Sequence, residues 1–247
     1  MALRKGREDA VNHPVKHPSP PLLLVALIHV ALFGAGLAVS TALAGGTTFP
    51  SPFDPERARE YFDAQGSAVR VGAFFTFGSA VPLGLFAATA ASRLSFLGVR
   101  VAGVSIASFG GVGAALMLLL SGLCMWALGQ PGTAQLHEAV RLLHLLAFAT
   151  GGPGFAVTFG LLVLGVSLAG GLTRQLPRWL MRLGIAIGVL AELSSLSLLA
   201  NEAAFLLPLT RFPGLIWLVC VGATLPASRR RERAPEPGPS SVIDHAS

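Results

Sequence analysis

The stretch LLLVALIHVALFGAGLAVSTALA, Leu22 to Ala44, contains no acid, no lysine and no arginine, and its only imidazole is His29. About twenty apolar residues in a row make a helix of about 30 Å, the thickness of a bilayer's hydrocarbon core. The same signature returns at 69–91, 99–127, 142–169, 179–200 and 212–226. The sixth run is the shortest and has Pro213 near its start. In lipid a spanning segment must satisfy its own backbone, so these runs predict helices. The fold expected is all-α: an integral membrane bundle of six transmembrane helices, N-in and C-in.

Composition agrees. Of 247 residues, 53% are hydrophobic and only 12% charged, and the mean hydropathy is +0.67. A soluble domain carries about a quarter charged residues, so this chain could not cover a water-facing surface. One transmembrane domain, 20–227, takes up most of the chain. The tails, 1–19 and 228–247, are rich in Pro, Ser and charge and read as disordered cytoplasmic segments, the second of them basic. Cys124 and Cys220 both fall inside apolar runs, where a cysteine acts as a small hydrophobe.

Orientation follows from lysine and arginine. With both ends in the cytoplasm, thirteen of the eighteen basic residues lie inside, and Arg57, Arg59, Arg70, Arg141 and Arg211 lie outside. The sequence pI of about 10.6 is thereby explained by topology beside an anionic leaflet, and nucleic acid is not an expected partner. An Ala-x-Ala pattern in Ser40–Gly46 resembles a leader-cleavage site, but the apolar run before it is about twice the usual length, so the first helix is expected to stay uncleaved.

The first outer loop has structure of its own. In FDPERAREYFDAQGS, Asp54 is placed as an N-cap, Pro55 at the first helical position and Gly66 as a stop. A short surface helix over 55–64 is expected, serving as a solvated connector. Ladders of small residues that let backbones approach run through the spans: Gly34, Ala38 and Ala42 in the first, Gly103, Ala107 and Gly111 in the third, Gly184 and Gly188 in the fifth. They predict a tight bundle and disfavour a wide pore.

LPRWLMRLGIAIGVL (Leu176–Leu190) and RLLHLLAFATGGPGF (Arg141–Phe155) resemble segments of a bacterial family of six-helix integral membrane proteins without an assigned function. The resemblance covers the second to sixth helices and implies a bacterial cytoplasmic (inner) membrane. It brings no catalytic residues with it.

Polar chemistry gathers in few places. His137, Arg141 and His144 share one helical face. The His-Glu pair at 137–138 invites comparison with the zinc-protease pattern, but that needs a second His four residues on, and residue 141 is Arg. The two imidazoles start about 10 Å apart along the helix, too far to share one metal. His29 and His144 belong to opposite ends of their spans and are not placed for a bis-His haem. Lys5 and Lys16 lie outside the spans, which excludes a retinal Schiff base. No metal and no cofactor is expected.

Glu192 continues the Gly184–Gly188 series at the same four-residue spacing, so it should face the packed interior, in the outer third of the core. His144 and Arg141 approach from the outer end of the fourth span and Arg70 from that of the second. Together Glu192, His144, Arg141 and Arg70 are the candidate ligand-binding residues, with Glu192 and His144 in one layer. TGGPG (Thr150–Gly154) should kink or unwind the fourth span, because Pro153 has no N–H and three glycines loosen the turn. The function expected is small-ligand sensing, transport or a partner-subunit role built on a polar pocket in the outer half. The alternatives are an intramembrane enzyme using His144 and Glu192 as acid and base, and a purely structural scaffold. The partners are the lipid bilayer, a small-molecule ligand, and a homo- or hetero-oligomer.

Overall fold

Six helices long and apolar enough to cross a membrane form in the computed structural model, which describes residues 15–229. They run Leu22–Leu43, Gly66–Phe96, Ala102–Leu128, His137–Leu172, Arg178–Leu198 and Asn201–Thr224. The chain is a multi-pass membrane protein. Its regular helices are α1 (Leu22–Leu43), α2 (Pro55–Ala64), α3 (Gly66–Phe96), α4 (Ala102–Leu128), α5 (His137–Ala149), α6 (Phe155–Leu172), α7 (Arg178–Leu193) and α8 (Leu206–Thr224). The fourth span consists of α5 and α6 joined by a π-turn at Thr150–Gly154. Short 3-10 turns finish the fifth span (Ser194–Leu198) and begin the sixth (Asn201–Phe205).

Each span packs on its neighbours in sequence, and α1 also packs on α8, which closes the ring. An even number of crossings leaves both ends of the bundle's chain on one face, called here the terminal face. There Val15–Lys16 (β1) pairs antiparallel with Ser228–Arg229 (β2). The remainder of the two expected disordered tails lies outside the described residues, but their inner ends form this ladder. Arg93, 5% exposed in the last turn of α3, fastens the same face: Nε donates to Ser19 Oγ at 3.1 Å and Nη2 to the Pro20 carbonyl at 2.9 Å. A residue counted as a topology signal is thus also a clamp.

The core is one apolar cluster through all six spans, with Trp217, Phe86 and Phe159 as its largest buried side chains. The stripe read in the fifth span meets the fourth in antiparallel order. A Cβ on Gly184 would strike Ser167, and one on Gly188 would strike Leu164. Trp217 Nε1 then ties the sixth span to the fifth by donating to the Leu180 carbonyl at 3.1 Å.

The first-span ladder is different. Gly34, Ala38 and Ala42 are exposed, and Gly36 is the small residue that packs, against Phe75. His29 explains the choice of face. Gly36 lies two turns beyond it, and turning that face inward gives the imidazole a partner: Nδ1 donates to the Ser79 carbonyl at 2.7 Å. An imidazole left in lipid would cost more than the ladder could return.

The surface helix α2 forms over the expected residues, with Asp54 accepting from the Arg57 N–H at 3.2 Å. Gly66 begins α3 and does not act as a stop. Nor is α2 a solvated connector: Ala58 and Phe62 pack with Val69, Leu128, Val140 and Ala147 in a second cluster. Burying a phenylalanine is worth about 1.5–3 kcal/mol where it leaves water, enough to seat a ten-residue helix on the distal ends of three spans.

Candidate functional site

Away from the terminal face the bundle opens into a cavity of about 340 Å³. Phe33 and Leu37 of α1, Thr76 of α3, Ser121 and Met125 of α4, and Leu207, Pro208, Arg211 and Phe212 of α8 line it. The loop Phe49–Pro52, His144 and the π-turn glycines Gly151 and Gly152 complete the wall. A second depression, a groove of about 940 Å³, lies above it between α2 and the start of α5. Glu56, Arg59, Glu60 and Asp63 form one bank of the groove, and His137, Glu138 and Arg141 the other. His144 borders both spaces.

His144 is 3% exposed. Its Nε2 donates to the Pro50 carbonyl at 3.2 Å, and its ring meets Phe49 and Phe62 edge-on at centroid distances of 5.3 and 5.0 Å. The imidazole is therefore a partition between groove and cavity, held by one hydrogen bond and two aromatic edges. Tyr61, next to Phe62 in α2, also packs on Phe49, at 6.0 Å, and burial pushes its phenol pKa above the usual value.

Of the four candidate residues, only His144 and Arg141 come together, on the groove; Arg141 is exposed. Arg70 is half-buried and borders neither space. Its Nη1 donates to the carbonyl of Gly129, the C-cap of α4, at 2.5 Å, a cation placed where the helix dipole and the last free carbonyls favour one. Glu192 lies between the fourth and fifth spans, its Oε1 3.2 Å from where a Cβ on Gly160 would sit, and that oxygen has no hydrogen-bond partner among the described residues. It faces the packed stripe, as its spacing implied. Gly160 is sixteen residues past His144 on the same span, roughly 24 Å along the axis. The expected His144–Glu192 layer is therefore not formed, and no acid–base pair joins them. The reason is the length of the fourth span, which begins at His137, not 142, and so carries His144 to the distal rim.

The residue that sequence reasoning did not single out is Arg211, which was counted among the outer topology residues. The sixth span begins at Asn201, not 212, and takes Arg211 into the apolar segment. The visible signal was FLLPLTRFPGLIWL (Phe205–Leu218), an apolar run continuous through Pro208 and Pro213 with one charge inside it. The guanidinium donates through Nη2 to the Gly151 carbonyl. Phe155 and Phe33 place their ring centroids 4.3 and 5.2 Å from its Cζ. No ion pair with a carboxylate forms among the described residues.

The π-turn supplies the acceptor. Pro153 removes one amide, the turn widens to a π-helix, and such turns displace carbonyls from the regular ladder. The break expected at TGGPG thus takes the form of a single wide turn with a cation from another span bonded to it. Comparison with protein-family models, with curated proteins and with solved structures finds no match, so the functional conclusion rests on this chain's own geometry.

Proposed function

We propose that this chain is a multi-pass protein of the bacterial cytoplasmic membrane that binds a small ligand in its distal cavity and serves in the sensing or transport of that ligand, alone or as a partner subunit. The observation that carries the proposal is Arg211: a guanidinium inside an apolar span, on the wall of a cavity, without a carboxylate among the described residues to neutralise it. A charge in that position is expensive in lipid, and such residues mark ligand and ion pathways. The cavity also has the size of a small-molecule site, at the lower end of the usual 300–1,000 Å³ or so. The distribution of basic residues, thirteen against five, favours a cytoplasmic terminal face and so supports an outward-facing cavity.

Ligand that binds only the folded state raises the unfolding temperature by mass action. The purified protein in neutral detergent should therefore show saturable thermal stabilisation by at least one class within a panel of small polar, anionic and amphiphilic solutes. Thr76→Trp, which fills the cavity from α3, should remove that stabilisation without changing the unliganded helical signal. No stabilisation by any class, or stabilisation that survives Thr76→Trp, would refute the proposal.

A further inference from the structure

We infer that the ligand is a single-chain amphiphile with an anionic head, held with its head on Arg211 and its chain in the gap between α1 and α8. The inference rests on the ligand-binding function proposed above and narrows it.

The head follows from the donors. A guanidinium has five N–H groups in one plane. One serves the Gly151 carbonyl, and the others meet no acceptor among the described residues. The rings of Phe155 and Phe33 lie close by, and aromatic rings engage the flat faces of such a cation, so a further partner approaches edge-on, where two N–H groups match a pair of oxygens. Carboxylate and phosphate both present that pair. The carboxylate inside the neighbouring fifth span, Glu192, packs at Gly160, roughly 13 Å farther along the fourth span than Gly151.

The chain follows from the walls. Beyond Arg211 the polar side chains of the wall are few: the hydroxyl of Ser121 is already donated to the Ala147 carbonyl at 2.9 Å, His144 is bonded to Pro50, and Thr76 adds a single hydroxyl. A sugar or an amino acid would leave most of its polar groups without partners here, and a cation would meet Arg211. An aliphatic chain has no such groups to satisfy.

The route follows from the shape of the ring. At the terminal face α1 and α8 touch: a Cβ on Gly222 would lie 2.8 Å from Leu23 Cα. Toward the distal end Phe33 and Leu37 face Leu207 and Phe212 across the cavity. Leu37 and Phe212 are both exposed, 48% and 51%, on the flank that lipid covers. The seam between first and last spans is closed by backbone contact at one end and, toward the other, is bridged by the Arg211–Phe33 contact beside the cavity, the end through which a molecule already dissolved in the bilayer would enter.

The test compares three probes of one chain length, dodecanoate, dodecyl phosphate and dodecan-1-ol, by titration calorimetry on the full chain in neutral detergent. Both anions should bind at least about tenfold more tightly than the alcohol, or about 1.4 kcal/mol. The preference should fall below about twofold in Arg211→Gln and survive in part in Arg211→Lys. A lead for the carboxylate assigns a free fatty acid, and a lead for the phosphate assigns a lipid phosphate monoester. If Arg211→Gln does not fold, the alcohol-against-anion comparison in the unaltered protein decides alone. Equal binding of alcohol and anions would overturn the anionic head and leave the ligand-binding function standing. Binding of none of the three would overturn the amphiphile, and the cavity's function would then stand or fall on the wider panel.

Discussion

The Arg211 guanidinium of α8 donates to the carbonyl of Gly151, in the one π-turn of the fourth span. Two features that are each unfavourable alone, a displaced carbonyl and an intramembrane cation, are placed together so that each satisfies part of the other. The rest of the cation's bonding capacity faces the cavity.

The turn's glycines differ in the room they have. A Cβ on Gly151 would strike Ser121 Oγ, whereas one on Gly152 would meet only the mobile end of Leu207, at 3.2 Å. Gly151→Ala should cost about 1–3 kcal/mol by overpacking and lower the thermal midpoint in detergent well below that of Gly152→Ala. Equal midpoints would show that the turn moves freely.

Arg70 and Arg141 were candidates of equal standing in the sequence, and their surroundings separate them. Arg70→Met removes a charged donor from the Gly129 carbonyl and should cost about 1.5–3 kcal/mol. Arg141→Met, on the exposed bank of the groove, should stay within about 0.5 kcal/mol. Thermal unfolding of the two variants side by side measures the difference.

Tyr61 is the only tyrosine in the chain, so its ionisation can be followed without interference from another phenol. Burial raises its folded-state pKa above the usual value of about 10. A raised pKa means that the neutral phenol favours the docked α2. That contribution is complete below the unfolded pKa and is lost as pH climbs through the folded one. Phenolate absorbance should rise with a midpoint above that of free tyrosine, and Tyr61→Phe should extend the range of stability at alkaline pH. A midpoint at the free value would mean that α2 is not seated on the bundle.

Both ends of the bundle's chain share a face, and the positive-inside rule predicts that this face is cytoplasmic. A cysteine probe at Ser51 should react with an impermeant reagent in intact cells, while one at Ser240 should react only after lysis. The opposite pattern would invert the bundle and turn the cavity inward.

All six spans were legible, the sixth without its first half, because length and hydropathy act locally: a run of apolar residues specifies its helix whatever surrounds it. The Gly184–Gly188–Glu192 stripe was legible for the same reason, since period and residue size together mark one face. Where two faces of one helix carry small residues, as with Gly34 and Gly36, the pattern does not choose between them. The deciding term was the partner available to His29 on another span. Arg211 was hidden by its flanking prolines, which look like the end of a span and are in fact carried inside it. A pocket at this end of the bundle was expected and His144 does border it, but its walls from α1 and α8 could not be read, because those spans are separated by most of the chain.

That separation sets an order of assembly. The first span is the earliest to be made, and the neighbour that completes its flank is the last, with the ladder of Val15–Lys16 on Ser228–Arg229 fastening the two. Chains are made from the N-terminus onward and earlier parts settle first, so spans two to five can gather while one side of the ring is still open. Only when Asn201–Thr224 has been inserted does Arg211 arrive at Gly151 and the cavity gain its sixth-span wall. The cavity is therefore incomplete at every stage before the sixth crossing, and on the ligand-binding reading proposed above a growing chain does not capture ligand prematurely.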